Sequence, residues 1–193
     1  MTNEKLRKRP ARERLMAAAA ELFYAHGMTA TGIDAITDKA GVARKSLYNN
    51  FASKDDLIVA YIQARHQEWL GLYEHRSAGA ASGRDQVLAV FDAYIDHAEA
   101  AYIDGFRGCG LLNAAAELPA SAPGRVAVRE HKEEVESILG TGLAEILDPD
   151  RAASLAEQLS FILEGAVARA GLEGTSDRLV HARAIANSLM ETQ

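Results

Sequence analysis

From Arg12 onward apolar residues recur at intervals of three and four, the spacing of an amphipathic helix. The first such stretch runs from Arg12 to His26, with Leu15, Ala18, Ala19, Leu22 and Phe23 on one face and Gly27 as its stop. Thr31 is the expected N-cap of a second helix, Gly32–Ala40, whose inner face is Ile33, Ile36 and Ala40. Gly41 makes a tight turn into a third, Arg44–Asn50, with Val42, Leu47 and Phe51 turned inward. Ser53 then caps a long fourth helix ending near His75, with Asp55 and Asp56 at the positive end of its dipole. A helix of barely two turns, such as the third, cannot stand alone in water and must be held by its neighbours.

Beyond His75 a small-residue linker, Ser77 to Gly83, shows no periodicity. Helical patterns resume at about 84–101, 108–118, 123–147, 150–171 and 176–190. Pro119, Pro123, Pro149 and the Gly171–Gly174 stretch fall between them. No segment alternates as a strand, so the predicted class is all-α. The expected architecture is an N-terminal three-helix domain over residues 1–54 and a larger helical domain over 55–193.

Charge divides the chain at the same place. The net charge of −6 argues against a polyanionic partner if taken whole. Residues 1–54 nevertheless hold 10 Lys and Arg against 5 Asp and Glu, whereas residues 55–193 hold 11 against 22. A basic head on an acidic body is the asymmetry of a chain whose one end meets nucleic acid. Lys5, Arg7, Lys8, Arg9, Arg12 and Arg14 read as a basic N-terminal arm, or equally as a solvated tail. One cysteine excludes an internal disulfide framework and, with no secretory signal or membrane-length apolar run, predicts a cytoplasmic protein.

Against that charge, the third helix acquires a chemistry. Two short helices joined by a tight turn read as helix-turn-helix, whose second helix enters the major groove while the first braces across the backbone. Arg44, Lys45, Ser46, Asn49 and Asn50 offer donors and acceptors for base edges. Thr31, Tyr48 and Lys54 lie near helix ends, where hydroxyls and amines meet phosphates. Each residue also has a structural reading: Asn49 and Asn50 suit a helix end, and the Tyr48 ring suits packing.

Residues 12–62 resemble the N-terminal domain of the TetR family of bacterial repressors. The resemblance rests on Ala18-Ala19, Leu22-Phe23, Gly27, Thr31, Ile36, Ala40-Gly41-Val42, Leu47-Tyr48, Phe51, Ser53-Lys54 and Leu57. It implies a homodimer that binds a palindromic double-stranded DNA operator and releases it when a small-molecule effector enters the C-terminal domain. A departure is Ala43, where the family often carries a capping serine or threonine; such a loss costs about 1 kcal/mol.

The resemblance also implies an effector pocket in the larger domain, for which the candidate residues are Trp69, Tyr73, Phe91, Tyr94, Phe106, Cys109, Asn113 and Phe161. Tyr102, His97 and Glu164 belong to the same helices. Core packing of the aromatics is the competing reading. Leu155, Leu159, Ile162 and Ala166 form one stripe on the last two helices, and Leu179, Ala182, Ile185 and Leu189 form another. Such helices serve one core or complete a four-helix bundle with a second copy, and the resemblance favours dimerisation through Leu155, Leu159, Ile162, Ala166, Ile185 and Leu189.

Cys109 follows Arg107-Gly108 at an expected helix start, a context that favours the thiolate. It suggests an oxidant or electrophile sensor, against the alternative of a small buried cysteine at a turn. Enzyme signatures are missing from the sequence: the six histidines lack metal-ligand spacing, and no phosphate-binding Gly loop or nucleophile motif occurs. Glu130, Glu133, Glu134 and Glu136 read as a solvated helix face. The reading is therefore a regulator without a metal or cofactor, with a helical interaction module as the alternative.

Overall fold

In the computed structural model residues 10–100 and 105–191 are described, and among them no strand occurs. The all-α class holds. By packing, the chain forms two compact units: residues 1–65 with 110–128, and residues 66–109 with 129–193. This division differs from a cut at 54/55, because the start of the long fourth helix and a later short helix pack with the N-terminal head.

In the first unit α1 spans Ala11–His26, α2 Ile33–Ala40 and α3 Arg44–Asn50. Leu15, Ala19, Phe23, Ile36 and Leu47 are at most 2% exposed and make their shared core. α1 stops at Gly27, whose φ of +87° suits glycine, and the Gly27 N–H returns to the Phe23 carbonyl at 3.0 Å. Gly41 ends α2 in the left-handed conformation. α4, Lys54–Ser77, begins under the expected Ser53 cap, where the Asp56 N–H donates to Ser53 Oγ at 3.0 Å. Its first turns bury Leu57, Ile58, Tyr61 and Ile62, and Phe23 meets Tyr61 edge to face at 5.5 Å.

Thr31 does not cap α2. Gly32 takes that position without a side-chain bond, and Thr31, 3% exposed, donates its hydroxyl back to the Gly27 carbonyl at 2.6 Å. The exposed carbonyls at the end of α1 outcompete the amides of α2 for it. α6, Gly110–Glu117, completes this unit with Leu111 and Ala114 buried.

The second unit takes the remainder of α4 together with α5 (Gly83–Glu99), most of α7 (Pro123–Ala144), α8 (Pro149–Glu173) and α9 (Asp177–Glu191). Its core is Val87, Val90, Phe91, Leu139, Leu143, Leu159, Leu163, Ala170 and Leu179. The stretch read as a linker joins α4 to α5 inside this unit. Ser82 caps α5 by accepting the Asp85 N–H at 3.2 Å, and Asp85 accepts the Ala81 N–H at 3.2 Å. Asp148 caps α8, with Pro149 in the first turn. Arg183 holds α9 to α5 through Asp92 at 2.7 Å. A Cβ at Gly171 would lie 2.3 Å from the Gly108 amide nitrogen, so glycine lets the segment before Cys109 lie against α8.

Candidate nucleic-acid interface and buried polar cluster

α3 buries Leu47 completely and turns Arg44, Lys45, Tyr48 and Asn49 outward. Leu47 and Phe51 hold one side of a seven-residue helix, which leaves the opposite side free to meet a ligand. Its N-cap is Ala43 with no side-chain bond, as the sequence implies. Arg44 Nη1 donates to Asp34 on α2, at 3.0 Å to Oδ1 and 3.3 Å to Oδ2. Tyr48, then Asp34, raise the Arg44 pKa further.

Two arginines of α1 support the same motif from behind. Arg14 Nη1 donates to the carbonyls of Ala40 at 3.3 Å and Gly41 at 3.2 Å, capping the end of α2. Arg12 donates to the Asn50 carbonyl at 3.2 Å, and its guanidinium lies 4.4 Å over the Phe51 ring, at the end of α3. Cations at helix C-termini satisfy orphan carbonyls and oppose the negative end of the dipole.

Within the second unit a line of polar side chains runs through an aromatic setting. The Lys132 ammonium contacts Glu164 Oε1 at 2.6 Å, the Tyr94 hydroxyl at 3.3 Å and Cys109 Sγ at 3.6 Å. The Tyr94 hydroxyl lies 3.4 Å from His131 Nε2. His131 Nδ1 faces His66 Nδ1 at 2.8 Å, so one ring donates and the other accepts. His66 reaches Glu134 at 3.3 Å.

Trp69, 3% exposed, stacks on Tyr73 with ring centroids 5.8 Å apart and adjoins Tyr94 and His131. Burial, then the Lys132 charge, pushes the His131 pKa down to about 3, so the ring is neutral at pH 7. Burial raises the Tyr94 hydroxyl as well. Desolvation works against the Lys132 ammonium, but Tyr94, Cys109 and Glu164 outweigh it and keep the lysine charged. Among the described residues of this unit, the buried side-chain atoms Trp69 Nε1 and Glu164 Oε2 have no hydrogen-bond partner.

Residues 15–61 match the family model for bacterial regulatory proteins of the tetR family. The structure superposes on a TetR-family transcriptional regulator from Streptomyces coelicolor with a TM-score of 0.84 and 31% identity, covering 93% of this chain and 95% of that one. The chain belongs to the TetR family of transcriptional regulators. A further TetR-type regulator, from Streptomyces avermitilis, is similar at 29% identity and a TM-score of 0.78, covering 94% and 96% of the two chains. The HTH-type transcriptional activator FasR of Mycolicibacterium smegmatis is 32% identical over 88 residues, which is 46% of this chain and 40% of that protein.

On the regulator's DNA-binding fold, the expected contact residues divide by where their side chains go. Arg44, Lys45, Tyr48 and Asn49 are exposed, while Ser46 and Lys54 are half-buried. Thr31 is corrected, because its hydroxyl is spent on α1 and buried. Asn50 is turned back, its amide donating to the Ser46 carbonyl at 2.7 Å. Of the basic arm, Arg12 and Arg14 are helix residues with structural partners. Lys5, Arg7, Lys8 and Arg9 lie outside the described residues, as does Tyr102.

The pocket candidates divide likewise. Tyr94 and Cys109 come together around Lys132 with Glu164, and Trp69 and Tyr73 join them through the Tyr94 ring. Phe106 is buried edge-on to His97 at 6.3 Å, and Phe91 is wholly in the core. Phe161 is corrected: at 66% exposed on the outer face of α8, it lines no interior site. Asn113 is also exposed, on α6 of the first unit.

Sequence reading missed Lys132, His131 and His66. Lys132 and His131 sit among the charges of a helix read as solvated, whose inward face is marked by Val128, Val135, Leu139 and Leu143, all buried. Glu134, read as solvated, is tied to His66. The dimerisation stripe is corrected in part. Leu155, Leu159 and Ala166 are at most 9% exposed and belong to the chain's own core. Ile162 and Leu189 are half-buried, and Ile185 is 48% exposed. What α8 and α9 leave outside is Phe161, Leu172, Val180 and Ile185.

Proposed function

We propose that this regulator acts as a homodimeric repressor, held on a palindromic operator by its two α3 helices and released by a small-molecule effector bound in the second unit. The observation that carries the effector reading is two buried atoms without a partner, Glu164 Oε2 beside the charged Lys132 and Trp69 Nε1 on the ring that adjoins Tyr94. Buried polar groups are nearly always satisfied, so an unpaired donor and acceptor in one cluster suit a bound molecule that supplies both. Residues 1–54 would read DNA, while 55–193 would sense and dimerise.

Effector binding would favour a head spacing that no longer fits two adjacent grooves, with α4 as the lever. Arg44, Lys45, Asn49 and Ser46 would face base edges, and Tyr48 and Lys54 phosphates. Family membership favours this over a general helical interaction module. A soluble, cytoplasmic existence suits the same role, and no described helix is long and apolar enough to cross a membrane.

The test is selection of genomic fragments by the purified protein, followed by a reporter driven from the enriched site. Enrichment of one or a few palindromes, with reporter output rising when the gene is deleted, supports the proposal. Output falling on deletion would make the protein an activator, as FasR is named. Uniform, salt-sensitive retention of all DNA would overturn the operator reading.

A second reading is favoured by one distance. Lys132 Nζ lies 3.6 Å from Cys109 Sγ, so a cation and the free thiol share one buried site. Cys109 would then be the point at which an oxidant or electrophile releases DNA. Cys109→Ser should abolish the response of operator binding to hydrogen peroxide and to a quinone. An unchanged response would exclude this reading.

A further inference from the structure

Asp34 is out of place on a surface meant for DNA. Its side chain is 72% exposed and faces the α3 side that carries Arg44, where a carboxylate repels phosphates. Stability does not explain it, because an ion pair with both partners in solvent contributes little. Its residence in the first turn of α2 would complement the helix dipole, but that needs no contact with Arg44.

The geometry of the contact suggests a different purpose. Both carboxylate oxygens engage one guanidinium nitrogen, Nη1, at 3.0 and 3.3 Å. A guanidinium has five N–H donors in one plane. Anchoring one nitrogen to Asp34, with Tyr48 as a second side-chain partner, therefore orients the plane, and the remaining N–H donors are left for a base. An unanchored arginine would have to lose that rotamer freedom on binding. The N-cap of α3 supplies no side-chain bond, and the Asp34 contact ties the start of that helix to α2.

We propose that Asp34 is a specificity-determining residue of this regulator: it aims Arg44 at one guanine and penalises sites where Arg44 finds none. The proposal rests on α3 entering the major groove. At a matching site Arg44 is shared between Asp34 and the guanine O6 and N7. Elsewhere the carboxylate keeps the guanidinium from phosphates and adds its own repulsion, so off-target binding is weakened.

The test uses full-length wild type, Asp34→Asn, Arg44→Ala and the double variant. Each selects from a randomised duplex library, and affinities are then measured on the wild-type site and its single-base variants at fixed salt. Wild type should prefer guanine at one position by about tenfold, the worth of a bidentate contact, and Arg44→Ala should erase that preference. Asp34→Asn should lose most of the same preference, keep the others, and bind mismatched DNA as tightly as wild type or tighter.

In the Arg44→Ala background Asp34→Asn should change no base preference. Melting of Asp34→Asn should stay near that of wild type. Full retention of the guanine preference in Asp34→Asn, or an equal loss of affinity for all sequences, would overturn the proposal. If Arg44→Ala leaves every preference intact while Asp34→Asn alters one, the reading of α3 fails instead.

Discussion

Glu117, the last residue of α6, accepts the backbone N–H of Thr29 at 2.7 Å, and its other oxygen takes that of Met28 at 3.1 Å. One carboxylate thus holds the turn that leads from α1 into α2. Gly27 makes room for it, since a Cβ there would lie 2.5 Å from Glu117 Oε1. Desolvation opposes the charge, but the Thr29 and Met28 amides prevail and hold the carboxyl below its ordinary range.

Glu117→Gln should therefore lower the stability of the first unit by about 1 kcal/mol, the worth of exchanging a charged acceptor for a neutral one. Urea denaturation of variant and wild type checks it. The folded pKa is depressed, so the contribution is complete above the unfolded carboxylate pKa and is lost as pH falls through the folded one. The difference between the two proteins should be full at pH 7 and shrink below about pH 4. A constant difference across that range would mean that the charge is not what holds the turn.

Arg14 supplies the second expectation. Its contacts with the carbonyls of Ala40 and Gly41 fix where α2 ends, and so where α3 begins. Arg14→Leu keeps the apolar stem and removes the cap. Operator affinity should fall several-fold while the order of preference among base variants stays unchanged. A changed preference would place Arg14 among the groups that read DNA.

Arg14 also shows where a sequence is ambiguous. The helices from α1 to the Ser53 cap of α4 are legible because periodicity, glycine stops and caps all point to one answer there. Charge is legible only as a sum. Nothing in the composition separates Arg14, which caps a helix, from Arg44, which faces outward, because partners distant in sequence decide that. The same holds for Leu159 and Phe161, two residues apart on α8. Both are large and apolar, and the positions of α5, α7 and α9 decide which is covered. The polar cluster was harder still, since Lys132 and Glu164 neutralise each other across two helices that both look amphipathic.

His131 makes the second unit sensitive to acid. Its pKa of about 3 lies below the ordinary value of 6.5, so below pH 6.5 the unfolded chain takes up a proton that the folded chain refuses. Stability should fall as pH drops from about 6.5 towards 3, by up to about 1.4 kcal/mol per pH unit from this group. His131→Gln keeps a polar, uncharged side chain and should flatten that part of the profile. Equilibrium unfolding between pH 4 and 7, followed by Trp69 fluorescence, would read it. Parallel profiles for the two proteins would contradict the burial of a neutral imidazole.

The last expectation separates a subunit's own core from its contact with a copy. Phe161 is 66% exposed and Leu172 84%, and with Gly165 and Ala168, also exposed, they follow at intervals of four, three and four along α8. Residues so spaced share one face of a helix, and the small pair between the two large ones leaves space for a partner helix to approach. Phe161→Glu places a charge on that face without disturbing the core beneath it. It should convert a dimer to a folded monomer in sedimentation, with helical content unchanged. Operator binding should weaken steeply, since two half-sites one turn apart are held together only when both heads are joined. Leu155→Ala should behave in the opposite way. Its side chain is 6% exposed, so truncation should cost about 2–5 kcal/mol of stability, while the protein that remains folded stays dimeric. If Phe161→Glu sediments as wild type does, the contact between copies lies elsewhere, and the exposed Phe161–Leu172 face of α8 needs another explanation.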